Sequence, residues 1–322
     1  MSSELGVAVW GLGRHATRRV LPALAECRSV RIAGVCTRNE QSGRAAASRY
    51  ECEYFASPSL MLGDSRVDVV YVATPTGLHF AHGRLALEAG KHLWCEKPLT
   101  HSYATTCELF QIAEKAGLMV ACGLMYKYHP QFAAIKRVIS AQTIGDVKVL
   151  SIRFGMPNLD VATFREDPDL GGGALLDLAC YPLSIAYQLL DPPPALCLAH
   201  VAATTPSRLD TDGWAILQCG ETVVDSAWGM GRAYQNKLEI WGSKGVLVAD
   251  RVFTKEDDYD SAVFVSDQRG REPTVLRSGR ASGLRSMIDV FAASLSSSEF
   301  LAGERREMEW CALMAEKIAG CR

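Results

Sequence analysis

The fold is decided by the stretch Leu5-Gly-Val-Ala-Val-Trp10-Gly-Leu-Gly13-Arg-His-Ala16. An apolar run of strand type leads into a glycine turn, and a segment with helical spacing follows it. The turn has the pattern G-x-G-x-x-A: Gly11 permits the tight turn, Gly13 lets a pyrophosphate approach the backbone, and Ala16 lets helix and strand pack closely. The helix N-terminus adds N–H groups that attract phosphate. The context therefore indicates a dinucleotide-binding βαβ unit rather than a merely tight strand–helix turn.

The alternation continues downstream. Further apolar, strand-like runs are 30–36, 67–73, 91–95 and 118–123, and segments with helical spacing are 14–27, 77–90 and 103–117. Continuous apolar runs are typical of buried parallel strands, with helices as the crossovers, so we expect a doubly wound parallel sheet. Pro22 lies in the first helical segment, and an interior proline costs a helix about 3 kcal/mol. We therefore expect a kink or a helix start near Pro22.

The pattern changes after about residue 124. A helical stretch (130–141) is followed by an alternating run (146–155), by further strand-like runs with turns at Gly220 and Gly242, and by a final amphipathic helix (304–319). Strands punctuated by hairpin turns predict a mostly antiparallel sheet. The predicted fold is α/β, with an N-terminal Rossmann domain (1–123) and a C-terminal α/β domain (124–322) that carries a large, mostly antiparallel open sheet.

Composition excludes several classes of protein. The 322 residues carry a net charge of −2, which leaves no basic footprint for nucleic acid. Eleven cysteines without a C-x-x-C pair indicate reduced thiols rather than a zinc cage or a disulfide framework. His79 and His82 are spaced as a helical pair, but no third metal ligand is evident. With no signal-peptide pattern and no apolar run of about 20 residues, we expect a cytoplasmic protein without metal, membrane or nucleic-acid partners.

The residues after the second predicted strand bear on the choice of cofactor. NAD-binding proteins usually carry an acid there that bonds the ribose 2′-hydroxyl. In this chain the strand ends in Thr37-Arg38, and a guanidinium matches a 2′-phosphate. Glu40 is a rival ribose ligand, and Arg38 could instead be a solvated surface charge. The sequence predicts NADP in preference to NAD.

Three further motifs resemble those of the Gfo/Idh/MocA family, which includes glucose–fructose oxidoreductase and inositol dehydrogenase. They are Ala73-Thr74-Pro75-Thr76 with His79, then Cys95-Glu96-Lys97-Pro98, and a segment with Phe164-Arg165, Gly171-Gly172-Gly173, Asp177 and Tyr181-Pro182. The resemblance spans nearly the whole chain. It implies oxidation or reduction of a sugar or polyol-like alcohol with a tightly held nicotinamide cofactor. The cofactor-binding residues it implies are Gly11, Gly13, Arg14, His15, Thr37, Arg38, Thr74, Pro75, His79, Glu96 and Lys97.

Lys97 and Tyr181 are the predicted acid–base pair. Lys97 follows the carboxyl end of a parallel strand, where open α/β sheets bind ligands. Tyr181 stands where many members of the resembled family have histidine, and the tyrosine form is that of the glucose–fructose oxidoreductase, xylose and dihydrodiol dehydrogenase and nucleotide-sugar 3-ketoreductase branches. A tyrosine pKa is near 10, and an ammonium at about 4 Å would lower it by roughly three. Tyr181 would then move the hydroxyl proton while Lys97 polarises the oxygen.

Asp177, Arg165 and Lys127 are the further predicted substrate residues. If 174–181 is helical, Asp177 and Tyr181 share a face. The glycine run before them would be a flexible entry that can approach a substrate closely. A helix break caused by Pro182 would expose Tyr181. Asp177 would orient the sugar through its hydroxyls. The alternative is an aspartate that caps the helix locally and a tyrosine in the domain interface.

The sequence thus predicts an NAD(P)-dependent dehydrogenase or reductase for a sugar or keto-sugar, which could be nucleotide-linked. Two alternatives stay open: a non-catalytic ligand-sensing regulator with the same fold, and a redox-assisted glycosidase that keeps its cofactor bound. By analogy with the resembled family, the face of the C-terminal sheet would form a homodimer or homotetramer.

Overall fold

The computed structural model describes residues 4–157, 163–203 and 209–321. Its contacts divide the chain into two compact units: Met1–Leu124 with Leu284–Glu309, and Met125–Gly283 with Trp310–Arg322. The sequence-based division put 284–309 in the second domain, whereas this segment belongs to the first unit. There the Phe291 ring lies 5.6 Å from that of Trp94, and Glu304 accepts a 3.0 Å hydrogen bond from the Cys122 amide.

The first unit contains the predicted parallel sheet. Its strands are β1 (Leu5–Trp10), β2 (Val30–Cys36), β3 (Glu53–Phe55), β4 (Val69–Val72), β5 (His92–Cys95) and β6 (Val120–Cys122). Its helices are α1 (Leu21–Glu26), α2 (Glu40–Arg49), α3 (Pro58–Gly63), α4 (His79–Glu88) and α5 (Tyr103–Ala116). Within the described residues the strand order is β3-β2-β1-β4-β5-β6, so the order reverses between β1 and β4. Trp10 at the end of β1 lies beside Cys36 of β2 and Val72 of β4.

Pro22 lies where the helix changes type, near the expected kink or start: residues 14–26 are helical without a break. A π-helical segment, Ala16–Val20, precedes α1, and Pro22 lies in the first turn of α1. The π-helical segment interrupts the regular i→i−4 hydrogen bonding directly before Pro22, which accommodates the missing N–H of the proline. The short strand β3 and the helices α2 and α3 had no counterpart in the sequence prediction, because their apolar patterns are short or weak.

The second unit is built on the predicted, mostly antiparallel sheet. Its helices are α6 (Pro130–Ser140), α7 (Ala174–Leu178) and α8 (Cys180–Leu189). Its strands are β7 (Val147–Met156), β8 (Ala195–Ala203), β9 (Asp210–Cys219), β10 (Thr222–Met230), β11 (Gln235–Gly242), β12 (Gly245–Asp250), β13 (Ser261–Asp267) and β14 (Thr274–Gly279). Across the described residues the order is β14-β13-β12-β11-β7-β10-β9-β8. The pair β7–β10 is parallel, and the other neighbours are antiparallel.

The expected helix over 174–181 is wrong in two respects. It breaks at Ala179, so Asp177 and Tyr181 lie in different helices, α7 and α8. Tyr181 is buried rather than exposed by a break at Pro182. The physical reason is the place of the proline: Pro182 lies in the first turn of α8, where it needs no amide hydrogen, so the chain breaks before Tyr181.

The last two helices are α9 (Gly283–Ala293) and α10 (Ser298–Ala319). α10 begins six residues before the predicted start at 304. Ser297 explains the earlier start, because its hydroxyl accepts a hydrogen bond from the Phe300 amide, as an N-cap does. No single helix in the described part of the chain is long and apolar enough to cross a membrane. The bent pair Pro168–Leu178 and Cys180–Leu189 meets that test by length and composition alone.

Candidate active site

The glycine turn after β1 fits a dinucleotide. Gly11 has φ +100°, and a Cβ there would lie 2.8 Å from the Thr74 Cγ2 methyl and 2.9 Å from the Ala73 carbonyl oxygen, so neither conformation nor space admits another residue. A Cβ on Gly13, by contrast, would meet no atom within 4 Å. The backbone at Gly13 therefore faces open space at the start of a helix, which leaves room for a pyrophosphate.

The turn after β2 presents Arg38 as an exposed basic side chain. The rival ribose ligand Glu40 is the first residue of α2, and its carboxylate accepts a 2.8 Å bond from Arg44 one helical turn later. Asn39 caps α2 through a 2.9 Å bond from the Ser42 amide. The Glu40 carboxylate is thus bonded within its own helix, whereas the Arg38 side chain is exposed.

Glu96, two residues before Pro98, is held as an anion by its neighbours. Its Oε1 accepts a 2.7 Å hydrogen bond from the Tyr71 hydroxyl and lies 3.1 Å from His15 Nε2. Burial by itself would raise the pKa of Glu96, but His15, the Tyr71 hydroxyl and Lys97 together lower it to about 2. The predicted cofactor residues His15, Glu96 and Lys97 are therefore brought together at the carboxyl edge of the sheet.

His79, predicted from the sequence to bind the cofactor, lies with both ring nitrogens against backbone carbonyl oxygens. Its side chain is buried, with Nδ1 2.9 Å from the Pro98 carbonyl oxygen and Nε2 2.8 Å from the Thr74 carbonyl oxygen. Burial lowers its pKa, although both carbonyls act in the opposite direction. His79 thus joins the loop after β4 to the loop after β5, which carries Lys97.

His82 has a role that the sequence reasoning missed, since it was considered only as half of a metal pair. Its ring stacks on the Trp10 indole with centroids 4.0 Å apart and an interplanar angle of 16°. Its Nδ1 lies 3.0 Å from the Thr74 hydroxyl. Burial first, then His79 and Arg38, lower its pKa to about 4. Among the described residues no group of three His, Cys, Asp or Glu side chains could hold a metal ion.

In the second unit, Arg165 and Asp177 are brought together. Arg165 Nε donates to Asp177 Oδ2 at 2.6 Å, and Nη2 lies 3.4 Å from Oδ1. Asp177 is buried, and about a quarter of the Arg165 side chain is exposed. The aspartate therefore orients the guanidinium, which changes the direct role that the sequence predicted for Asp177.

Tyr181 lies in an aromatic cluster of the second unit. Its ring meets Phe154 edge-on at 5.0 Å and is 5.3 Å from Phe253 and 6.4 Å from Tyr126. The Tyr126 hydroxyl is hydrogen-bonded to Ser184 at 2.6 Å. The aromatic rings fix the orientation of the Tyr181 side chain. The predicted substrate residue Lys127 follows Tyr126 and lies over the Tyr128 ring, 5.7 Å from its centroid.

The glycine run before α7 is a tight turn rather than the flexible approach that was expected. Gly171 and Gly173 have φ +77° and +106°, and a Cβ on Gly172 would lie 2.5 Å from the Arg165 carbonyl oxygen. A Cβ on Gly173 would lie 2.5 Å from Asp210, whose buried carboxylate caps α7 at the Leu175 amide. The glycines therefore allow Arg165 and Asp210 to approach α7 closely.

Comparison with known proteins matches both parts of the chain to family models. Residues 5–124 match the model of an oxidoreductase family with an NAD-binding Rossmann fold, and residues 132–248 match the Gfo/Idh/MocA C-terminal domain. The chain belongs to the Gfo/Idh/MocA family. The resemblance seen in the sequence is thereby confirmed, as is the α/β fold with a Rossmann unit.

Among its relatives are dTDP-3,4-didehydro-2,6-dideoxy-α-D-glucose 3-reductases. The enzyme of Streptomyces violaceoruber is 33% identical over 84% of this chain and 80% of its own, and that of Saccharopolyspora spinosa is 31% identical over 82% and 80%. The crystal structure of KijD10, a 3-ketoreductase from Actinomadura kijaniata in complex with NADP and TDP-benzene, matches with a TM-score of 0.93 and 27% identity over 99% of this chain and 98% of its own. Other matching structures of KijD10 replace a lysine with alanine or glutamate, or a tyrosine with phenylalanine.

Proposed function

We propose that this member of the Gfo/Idh/MocA family transfers hydride between NADP(H) and a keto or hydroxyl-bearing carbon of a nucleotide-linked sugar. The observation that carries the proposal is the spacing of Lys97 and Tyr181 along the sequence. Lys97 and Tyr181 are 84 positions apart, and the lysine and the tyrosine substituted in the KijD10 structures are separated by the same number of positions. The similarity covers nearly the full length of both chains.

The residues at the carboxyl edge of the first unit would hold NADP. The open backbone at Gly13 would take the pyrophosphate and Arg38 the 2′-phosphate, while the carboxylate of Glu96, with its pKa of about 2, would accept a bond from a cofactor hydroxyl. When bound, the cofactor supplies or accepts the hydride. His15 and Tyr71 keep the Glu96 carboxylate in place.

Lys97 and Tyr181 would manage the proton. In the reducing direction the Tyr181 hydroxyl gives its proton to the substrate oxygen, and in the oxidising direction the phenolate takes it back. The Lys97 ammonium would polarise the same oxygen. His79 supports this role by fixing the Pro98 carbonyl beside Lys97.

Arg165 would bind the substrate, with Asp177 behind it. The Asp177 carboxylate orients the guanidinium through Nε and Nη2, and the partly exposed side chain keeps further N–H donors. A planar, oriented guanidinium suits sugar hydroxyls or the oxygens of a nucleotide diphosphate. Lys127 would add positive charge to the same substrate.

The solvent-facing side of the eight-stranded sheet would join copies of the chain. Trp241 and Leu198 are 61% and 60% exposed. Trp241 lies between Val149 of β7 and Val246 of β12, and Ile216 of β9 lies beside Leu198. Exposed apolar side chains that adjoin across several strands are typical of an interaction surface. We propose a homodimer or homotetramer assembled through this face.

The test is to follow the absorbance of NADPH in the presence of a dTDP-linked keto-sugar. We expect turnover, and we expect Lys97→Ala and Tyr181→Phe each to lower kcat by at least about 100-fold, because general acid–base catalysis contributes that much. NADP binding should stay within about threefold in both variants, and His101→Gln, at an exposed position, is the matched control. A chain that binds NADP without turnover would favour the ligand-sensing regulator. Turnover of a glycoside without net use of NADPH would favour the redox-assisted glycosidase.

A further inference from the structure

One feature of the first unit lies outside the proton and substrate chemistry: the stack of His82 on Trp10. Trp10 is the last residue of β1, directly before the glycine turn, and His82 lies on α4. The Thr74 hydroxyl holds His82 Nδ1 at 3.0 Å, so both the plane and the edge of the ring are fixed. The remaining polar atom of the imidazole is Nε2, and His82 is only partly buried.

The charges near His82 come from two elements. Within the described part of the chain, two charged or titratable groups act on the pKa of His82. They are His79, on α4 itself, and Arg38, in the turn after β2. Trp10 and Thr74, which contact its ring, carry no charge. Arg38 and a protonated His82 would repel each other, and an anion placed near both would remove that repulsion.

We propose that His82 is a specificity-determining residue for NADP: together with Arg38 it binds the 2′-phosphate, through Nε2, and takes up a proton as it does so. This inference rests on the proposed use of NADP. A negative charge about 4 Å from an imidazole raises its pKa by about three. That takes the pKa of His82 from about 4 to near neutrality. NAD, which carries a neutral hydroxyl at the same ribose carbon, leaves His82 unprotonated.

The test is isothermal titration calorimetry of the full chain with NADP and with NAD, at near-neutral pH, in two buffers of different ionisation enthalpy. The difference between the two buffers gives the number of protons taken up on binding. The 2′-phosphate has its own second pKa of about 6, so the titrations are run at about pH 7, where the phosphate is mostly dianionic before it binds. The difference between the wild type and a His82 variant therefore belongs to His82.

Two variants separate charge from packing. His82→Gln keeps a polar side chain, and His82→Phe keeps a ring to stack on Trp10. We expect NADP, but not NAD, to bind wild type with net proton uptake, and both variants to lose it. Both should bind NADP about fourfold more weakly than wild type near pH 6.5, the change expected when a pKa rises from about 4 to near neutrality on binding, with NAD affinity within about twofold. Above about pH 8.5 the NADP affinities should converge, because His82 of the wild type is then neutral even when NADP is bound.

The outcomes distinguish this inference from the proposed function. If wild type prefers NADP and both variants keep the same preference and the same proton uptake, the role of His82 is overturned while the use of NADP stands. If wild type binds NADP no better than NAD, the proposed cofactor is itself wrong, and the inference falls with it. His101→Gln serves as the control for loss of a histidine, and thermal unfolding of each variant checks that it is folded.

Discussion

Arg165 and Asp177 form a two-point ion pair, with Arg165 Nε 2.6 Å and Nη2 3.4 Å from the two carboxylate oxygens of Asp177. The pair joins the turn before the glycine run to α7, and the carboxylate is buried. An aspartate in this position acts through the arginine that it holds, so loss of either partner should affect the same step.

The ion pair predicts coupled effects of substitution. Arg165→Ala and Asp177→Asn should each raise KM for the sugar substrate by about tenfold or more, and the double variant should be little worse than either single one. The expected coupling energy is about 1–3 kcal/mol, because the partners share one interaction. Steady-state kinetics of the three variants measures it. Additive losses would mean that Asp177 acts independently of Arg165.

Arg38 predicts the cofactor preference. Arg38→Ala should weaken NADP binding by about tenfold or more, which corresponds to the loss of a charge-assisted hydrogen bond worth about 1.5–3 kcal/mol. NAD binding should change by less than about threefold. Calorimetric titration of both cofactors checks this, with Arg49→Ala, an exposed arginine at the other end of α2, as the matched control. Equal loss of both cofactors would show that Arg38 does not read the 2′-phosphate.

The buried histidines predict a loss of stability in mild acid. His82 and His129 each have a pKa lowered by burial to about 4, against about 6.5 in an unfolded chain. Between these values the unfolded chain binds more protons, so their contribution is complete above about pH 6.5 and declines as the pH falls towards 4.

Urea unfolding at about pH 7.5 and about pH 5 measures this effect. We expect the two histidines to lower the free energy of unfolding by about 3 kcal/mol over that interval: about 2 kcal/mol from His129, and less from the part-exposed His82 because solvent screens its shift. His82→Gln should reduce the pH dependence, and His101→Gln should leave it unchanged. An identical pH dependence in wild type and His82→Gln would contradict the prediction.

The exposed sheet face predicts an assembly that a single charge disrupts. Trp241→Lys places an ammonium among Val149 and Val246 on neighbouring strands. We expect this variant to shift a dimer or tetramer towards monomer, as measured by light scattering after size-exclusion chromatography. Leu60→Lys, at an exposed position of α3, is the control because α3 belongs to the first unit and not to the eight-stranded sheet. A wild-type chain that is monomeric at high concentration would remove the proposed assembly.

Much of the fold could be predicted from local patterns. The strand–turn–helix with Gly11 and Gly13 is recognisable from a pattern of a few residues. The alternation of strand-like and helical segments that follows it, up to Cys122, predicted most of the strands of the first unit.

The site was predicted less completely. Lys97 could be placed because it directly follows a strand, whereas Tyr181 was expected to be exposed and is buried. The error arose because Pro182 was expected to break a helix near Tyr181, whereas it lies in the first turn of α8.

The sequence by itself determined the parallel sheet of the first unit, the glycine turn that suits a dinucleotide, and the basic residue Arg38 after β2. These features depend on spacings of a few residues, which backbone geometry converts directly into structure. What only the tertiary structure decided is which side chains meet: His79 between two carbonyls, His82 on Trp10, Arg165 on Asp177, and the segment 284–309 on the first unit. Such partners come from different loops and elements, and packing alone brings them together.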